Sequence, residues 1–129
     1  MMRSVFSKVA ALRLMLVLGL VLLAAAPALA AGRQNFTLIN KTGYTIDQVY
    51  VSATSAKDWE EDILGQDVLS NGESVDITFD RGESACKWDL KVVYDDQSES
   101  EWGGLNLCKI SKVSIHYDRK KDKTWAVYE

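Results

Sequence analysis

Two acidic clusters are the residues in this sequence best suited to binding chemistry. Asp58, Glu60, Glu61 and Asp62 fall in one short stretch, and Asp95, Asp96, Glu99 and Glu101 fall in another. A hard cation such as calcium takes about six to eight oxygen ligands, which two loops can supply together. Asp58, Glu61, Asp62, Asp95 and Asp96 are therefore the candidates for a metal site or for contact with a basic partner. Neither cluster has the Asp-x-Asp-x-Asp-Gly spacing of a dedicated calcium loop. Calcium thus stands beside a basic macromolecule or cell-wall component as a partner, and the metal itself is left undetermined. The plain alternative is a solvated acidic surface.

Catalytic chemistry finds less to work with. A carboxylate pair held about 5 Å apart, or about 6.5 to 9.5 Å apart, can hydrolyse a glycoside when a cleft surrounds it. A small domain has little room for such a cleft. His116 is the only histidine, and Ser114, two positions away, shares its face if the segment is a strand. A triad also needs an acid behind the ring, and the sequence places none there. The expectation is a surface histidine and no catalytic residue. Trp59, Trp88, Trp102 and Trp125 are expected to pack in the core, with an exposed platform for a sugar or peptide as the functional alternative.

The two cysteines, Cys86 and Cys108, lack the clustered Cys/His spacing of a zinc site. Their environment follows from the N-terminus. Residues 1–30 carry three positive charges (Arg3, Lys8, Arg13), then the apolar run Leu14 to Ala26, and end in Ala28-Leu29-Ala30. That is the pattern of a secretory signal peptide cleaved after Ala30. A retained membrane anchor is the alternative. No cysteine follows the cleavage site and no Arg-Arg pair precedes the apolar run, so neither a lipid anchor nor twin-arginine export is expected. In an oxidising compartment, periplasmic or extracellular, Cys86 and Cys108 pair as a disulfide.

The mature segment, 31–129, has 12 basic and 18 acidic residues, a formal charge of −6. It is long enough for a single domain. Its negative balance argues against nucleic acid or an anionic membrane surface as partner. The charge is unevenly spread. From Asp47 to Glu101 there are 15 acidic and 4 basic residues, while Lys109 to Glu129 has 6 basic and 3 acidic. Arg119-Lys120-Lys121-Asp122-Lys123 reads as the turn between the last two strands and is too short for a nucleic-acid patch.

Short β-branched and aromatic runs separated by Gly, Asn, Asp and Ser predict strands at 36–40, 46–52, 68–69, 75–79, 88–94, 98–102, 112–117 and 124–128. About seven or eight short strands make an all-β fold, a small antiparallel β-sandwich. Alternation directs Val75, Ile77 and Phe79 to one face, and Val113, Ile115 and Tyr117 likewise. A hairpin turn near Asp96 and Gln97 sets Cys86 opposite Leu107 or Cys108. Ser55 to Gly65 breaks the rhythm. A capping serine, an acid three positions on and a terminal glycine predict a short helical insertion with Trp59 and Ile63 packed inward.

The series Thr42-Gly43-Tyr44, Val49-Tyr50-Val51-Ser52, Asp58-Trp59 with Asp62 and Leu64-Gly65, Asp67-Val68-Leu69, Gly72-Glu73, Cys86-Lys87-Trp88-Asp89-Leu90 and Asn106-Leu107-Cys108 resembles a group of small exported bacterial β proteins of unassigned function. The likeness spans nearly all of the mature segment. Some of these proteins carry the label argininosuccinate lyase. That enzyme is a large helical tetramer with an active site shared among subunits, and a strand-rich domain of this size cannot build it. The resemblance implies export, the bridge and a β fold, and it contributes no catalytic residue.

The functional expectation is an exported, non-enzymatic binding protein that uses its acidic loops against a cation or a basic partner. Inhibition of a basic cell-wall hydrolase is a second expectation, because opposite charges favour that encounter. A small hydrolase is a third.

Overall fold

A computed structural model describes residues 32–129, so the signal-peptide expectation for 1–30 lies outside the described residues. Among these residues seven strands form: β1 (Phe36–Lys41), β2 (Ile46–Ala53), β3 (Ser74–Ile77), β4 (Lys87–Tyr94), β5 (Glu99–Asn106), β6 (Lys112–Asp118) and β7 (Lys123–Tyr128). They make a four-stranded sheet in the order β3-β1-β6-β7 and a three-stranded sheet in the order β2-β4-β5. The all-β sandwich expected from the strand rhythm is present.

Alternation decides what lies between the sheets. Phe36, Leu38, Ile77, Val113 and Ile115 come from one sheet and Ile46, Val49, Trp88, Leu90, Val92 and Leu105 from the other, all buried in one cluster. Asp76 and Thr78 stay exposed between half-buried Val75, buried Ile77 and half-buried Phe79, as the period of two requires. The β4–β5 hairpin ladders Val93 to Glu99 and Trp88 to Leu105, with a register shift between Trp88 and Leu90. Beyond that shift the Leu107 N–H donates to the Cys86 carbonyl at 2.9 Å. Cys86 and Cys108 are bonded, with their Cα atoms 5.2 Å apart.

Three sequence expectations are corrected. The sandwich is not wholly antiparallel, because β1 and β6 run parallel, Leu38 beside Val113 and Asn40 beside Ile115. A parallel pair needs a long crossover, and here the connection contains the whole three-stranded sheet. The segment 68–69 is reduced from a strand to one bridge, Ile46 to Leu69. No helix forms in 55–65, where successive turns are closed by Ala56 N–H to Ala53 carbonyl, Gly65 N–H to Asp62 carbonyl and Asp67 N–H to Leu64 carbonyl.

The reason is tertiary. The Asp62 carboxylate accepts the backbone N–H of Val49 at 2.8 Å and of Leu64 at 3.0 Å. The Ile63 N–H donates to the Val49 carbonyl. These bonds tie the segment to the open edge of β2, and a stretch this short has too little helical cooperativity to resist them. Trp59 and Ile63 accordingly do not pack inward together. Trp59 lies against Tyr50, and Ile63 remains exposed.

Candidate functional site

A cleft of about 380 Å³ opens at one end of the sandwich, lined by residues of both sheets. Three turns build it. The first joins β4 to β5: Ser98 carbonyl accepts the Tyr94 N–H, and Gln97 takes a positive φ of 74° to reverse the chain. Within it the Asp96 carboxylate accepts the Ser98 N–H at 2.9 Å and the Ser98 hydroxyl at 2.6 Å. These bonds, the hydroxyl's above all, hold the Asp96 carboxyl below its ordinary range.

The second turn joins β6 to β7. Tyr117 and Thr124 face each other across the ladder, and Asp122 occupies the left-handed region at φ 50°. Aspartate tolerates that conformation better than most side chains. The Tyr117 hydroxyl donates to the Asp122 carboxylate at 2.9 Å, which raises the phenol's pKa. The positive charge of Arg119 works weakly against that rise.

The third is the loop from β1 to β2. Asn40, fully buried, donates to the carbonyls of Tyr44 at 2.7 Å and Leu69 at 2.9 Å and accepts the Thr42 N–H and hydroxyl. All the hydrogen-bonding capacity of this amide is used inside the protein, which fixes the loop. Tyr44 is thereby set at the rim, exposed, with its ring edge-on to Tyr117 at 5.7 Å between centroids. Tyr94, half-buried and with its pKa raised by that burial, also lines the cleft; its hydroxyl meets the Ser100 hydroxyl at 3.4 Å.

The cleft thus combines three phenol rings with the carboxylates of Asp95, Asp96, Glu99 and Asp122. Aromatic faces and carboxylates both attract positive charge, and a planar guanidinium or an ammonium satisfies both at once.

Of the residues singled out in the sequence, Asp95 and Asp96 line this cleft, whereas Asp58, Glu61 and Asp62 do not. The Asp58 carbonyl accepts the Ser52 hydroxyl near the end of β2, while Asp95 N–H donates to the Thr45 carbonyl just before β2 begins. At roughly 3.3 Å per residue these anchors are about 23 Å apart along the strand. Asp62 is committed to the backbone bonds already described. Among the described residues no group of three or more His, Cys, Asp or Glu side chains is arranged to hold a metal ion. The two acidic loops therefore do not combine into one site.

Tyr44, Tyr94, Tyr117 and Asp122 were not singled out in the sequence. Tyr94 is the last residue of β4, Tyr117 the last but one of β6, and Tyr44 stands two residues before β2, so each lies beside a turn, but nothing in the sequence marks that the three meet.

The tryptophans divide. Trp88 is buried and Trp102 packs against the core. The Lys91 ammonium lies over both Trp59 and Tyr50, 5.1 and 4.9 Å from the ring centroids, and Trp125 is exposed and stacked on His116 at 5.2 Å. Ser114 is buried between Ile39 and Val127 in the ladder. Among the described residues the His116 ring makes no hydrogen bond to a carboxylate.

A second groove of about 710 Å³ runs between residues 63–70 and β3; it has aliphatic rims at Ile63 and Val68 but no aromatic ring. No helix among the described residues is long and apolar enough to cross a membrane.

No family model matches the chain, and no curated protein matches it. Among solved structures it is similar to an NMR structure of a protein from Eubacterium rectale, with a TM-score of 0.51 at 18% sequence identity, over 73% of this chain and 85% of that one. That likeness concerns the fold alone.

Proposed function

We propose that this is an exported, non-enzymatic binding protein whose tyrosine-and-carboxylate cleft receives an arginine or lysine side chain of a basic partner. The observation that carries the reading is the convergence of Tyr44, Tyr94 and Tyr117 with Asp95, Asp96, Glu99 and Asp122 at one end of the sandwich. The disulfide supports export, since such bonds persist outside the reducing cytoplasm. A basic cell-wall hydrolase is one partner of the right charge, and no calcium ion is invoked.

The test is an amide NMR titration with N-acetyl-arginine methylamide and then with a basic hydrolase, at low and high salt. Shifts should centre on Tyr44, Tyr94 and Tyr117 and weaken with salt. The Asp95→Asn, Asp96→Asn, Glu99→Gln triple variant should bind about tenfold more weakly, as expected when several partly exposed charge pairs are lost. Shifts that centre elsewhere, or a triple variant that binds as well as wild type, would refute the proposal. A lytic assay with the hydrolase separates inhibition from simple binding.

A further inference from the structure

Every sheet edge must be covered, blunted or paired, because its free N–H and carbonyl groups are a template for another strand. Three of the four edges here are managed. The edge of β2 is covered by the Asp62–Ile63 segment and the Leu69 bridge. β3 is only four residues long. On β5 the Tyr94–Ser98 bond fixes the parity, so the residues that direct their backbone outward near the turn are Glu99 and Glu101, both carboxylates.

β7 is different. Glu129 and Lys112 exchange backbone hydrogen bonds at 2.9 and 3.1 Å, which makes theirs a hydrogen-bonded pair. Counting along the ladder, Lys123, Trp125 and Val127 bond inward to β6, and Thr124, Ala126 and Tyr128 direct N–H and carbonyl outward. No hydrogen bond among the described residues takes those outward groups. Among the described residues, three of the six exposed large hydrophobics lie on this strand: Trp125, Val127 and Tyr128.

We infer that β7 is a pairing edge for a second copy of this chain, joined antiparallel about a two-fold axis at Ala126. This inference is independent of the cleft. Centring on Ala126 sets the outward residues against outward residues, Ala126 to its own equivalent and Thr124 to Tyr128, as the hydrogen-bond parity demands. The same register places Trp125 across from Val127 in the close, non-hydrogen-bonded position that suits an aromatic and a β-branched residue. It also brings Lys123 of each copy opposite Glu129 of the other. Two ion pairs thus close the ends of the strand, and charge complementarity selects this register over those shifted by two residues. The joined sheet has eight strands.

Sedimentation equilibrium on the full-length chain, as an exporting host processes it, tests this from micromolar to millimolar concentration. The wild type should dimerise. Ala126→Pro should be monomeric with an unchanged circular dichroism spectrum, because the N–H it deletes faces away from β6 and proline is tolerated at such edge positions. Lys123→Glu and Glu129→Lys should each weaken the dimer about tenfold by turning two attractive pairs into two repulsive ones, and the double reversal should restore it. Lys123→Glu is the cleaner single, since Glu129 also meets Lys112 within the chain at 3.8 Å. A wild type that stays monomeric to millimolar concentration overturns the inference. So does a dimer that survives Ala126→Pro, or a double reversal as weak as the singles.

Discussion

Cys86 and Cys108 close the far end of the β4–β5 hairpin, while the far end of β6–β7 is held by backbone bonds to Glu129 and an exposed Lys112–Glu129 contact. Both hairpins form lips of the same cleft, and both turn on a non-glycine residue with positive φ, Gln97 in one and Asp122 in the other. Their middles differ as much as their ends. β4–β5 carries a bulge in which Asp89 stands against Gly103 and Gly104, and the Asp89 carboxylate accepts the Gly104 N–H at 2.9 Å and the Thr54 hydroxyl at 2.8 Å. β6–β7 pairs without a shift from Val113–Tyr128 to Asp118–Lys123. A bulge twists a strand and spoils its edge, whereas a regular ladder leaves the edge straight. The acidic hairpin is thus fastened and blunted, and the basic one is regular and open. Local stability and availability for pairing are assigned to different hairpins.

The largest break in this comparison comes from removing the bridge. Cys86→Ser with Cys108→Ser frees a separation of 22 residues. Chain-entropy arguments put the loss at about 3 kcal/mol, a large share of what a small domain has. Urea denaturation should show it, and reductant should produce the same shift in the wild type and none in the double serine variant. If both proteins unfold at the same denaturant concentration, the bridge is not what distinguishes the hairpins.

A smaller effect is expected at the bulge. Gly104 sits at φ 68°, where a Cβ meets nothing within 4 Å but the backbone itself disfavours an L side chain. Gly104→Ala should therefore cost about 1 to 2 kcal/mol through conformation alone. Ala126→Gly on the regular strand should cost about 1 kcal/mol or less. Thermal melts of the two variants side by side rank the positions, and a more stable Gly104→Ala would mean that the bulge is not held in this conformation.

How much of this was legible in the sequence depends on whether the deciding contact is local. Val75, Ile77 and Phe79, and likewise Val113 and Ile115, face as their period of two dictates, because alternation is a property of the strand itself. The turn near Asp96 and Gln97 brings Cys86 to within one residue of its observed place, opposite Asn106, and the register shift between Trp88 and Leu90 then sets it against Leu107, next to its partner Cys108. The helix expected for 55–65 does not form because the Asp62 carboxylate accepts the Val49 N–H of β2 instead of serving a helical turn. The parallel β1–β6 pair and the meeting of Tyr44, Tyr94 and Tyr117 depend on the order in which strands enter two sheets. No spacing rule in a single sequence encodes that order. Asp95 and Asp96 were found because acidity is visible in the chain; their aromatic partners were not, because an isolated tyrosine at a strand end carries no signal alone.

The finest separation of the two hairpins is by pH, since each turn carries its own clip. At the acidic turn, hydrogen bonds from Ser98 lower the Asp96 carboxyl below 3.8. A depressed carboxylate contributes its clip above the ordinary value, and the contribution is lost as pH falls through the lower, folded value. At the basic turn, the bond to Asp122 raises the Tyr117 phenol above 10.0. A raised phenol contributes below 10.0 and loses its contribution as pH rises through the higher, folded value. Falling pH should therefore withdraw the Asp96 clip from the β4–β5 turn, and rising pH the Tyr117 clip from the β6–β7 turn, as read from carboxyl and tyrosine-ring NMR titrations. Ser98→Ala should bring Asp96 back up without moving Tyr117, and Asp122→Ala should bring Tyr117 down without moving Asp96. Tyr94 supplies the control. Burial is the main cause of its rise, so neither substitution should return it to its ordinary value. If Asp122→Ala lowers Tyr94 as far as Tyr117, the two lips titrate as one unit and the division between them fails at the cleft.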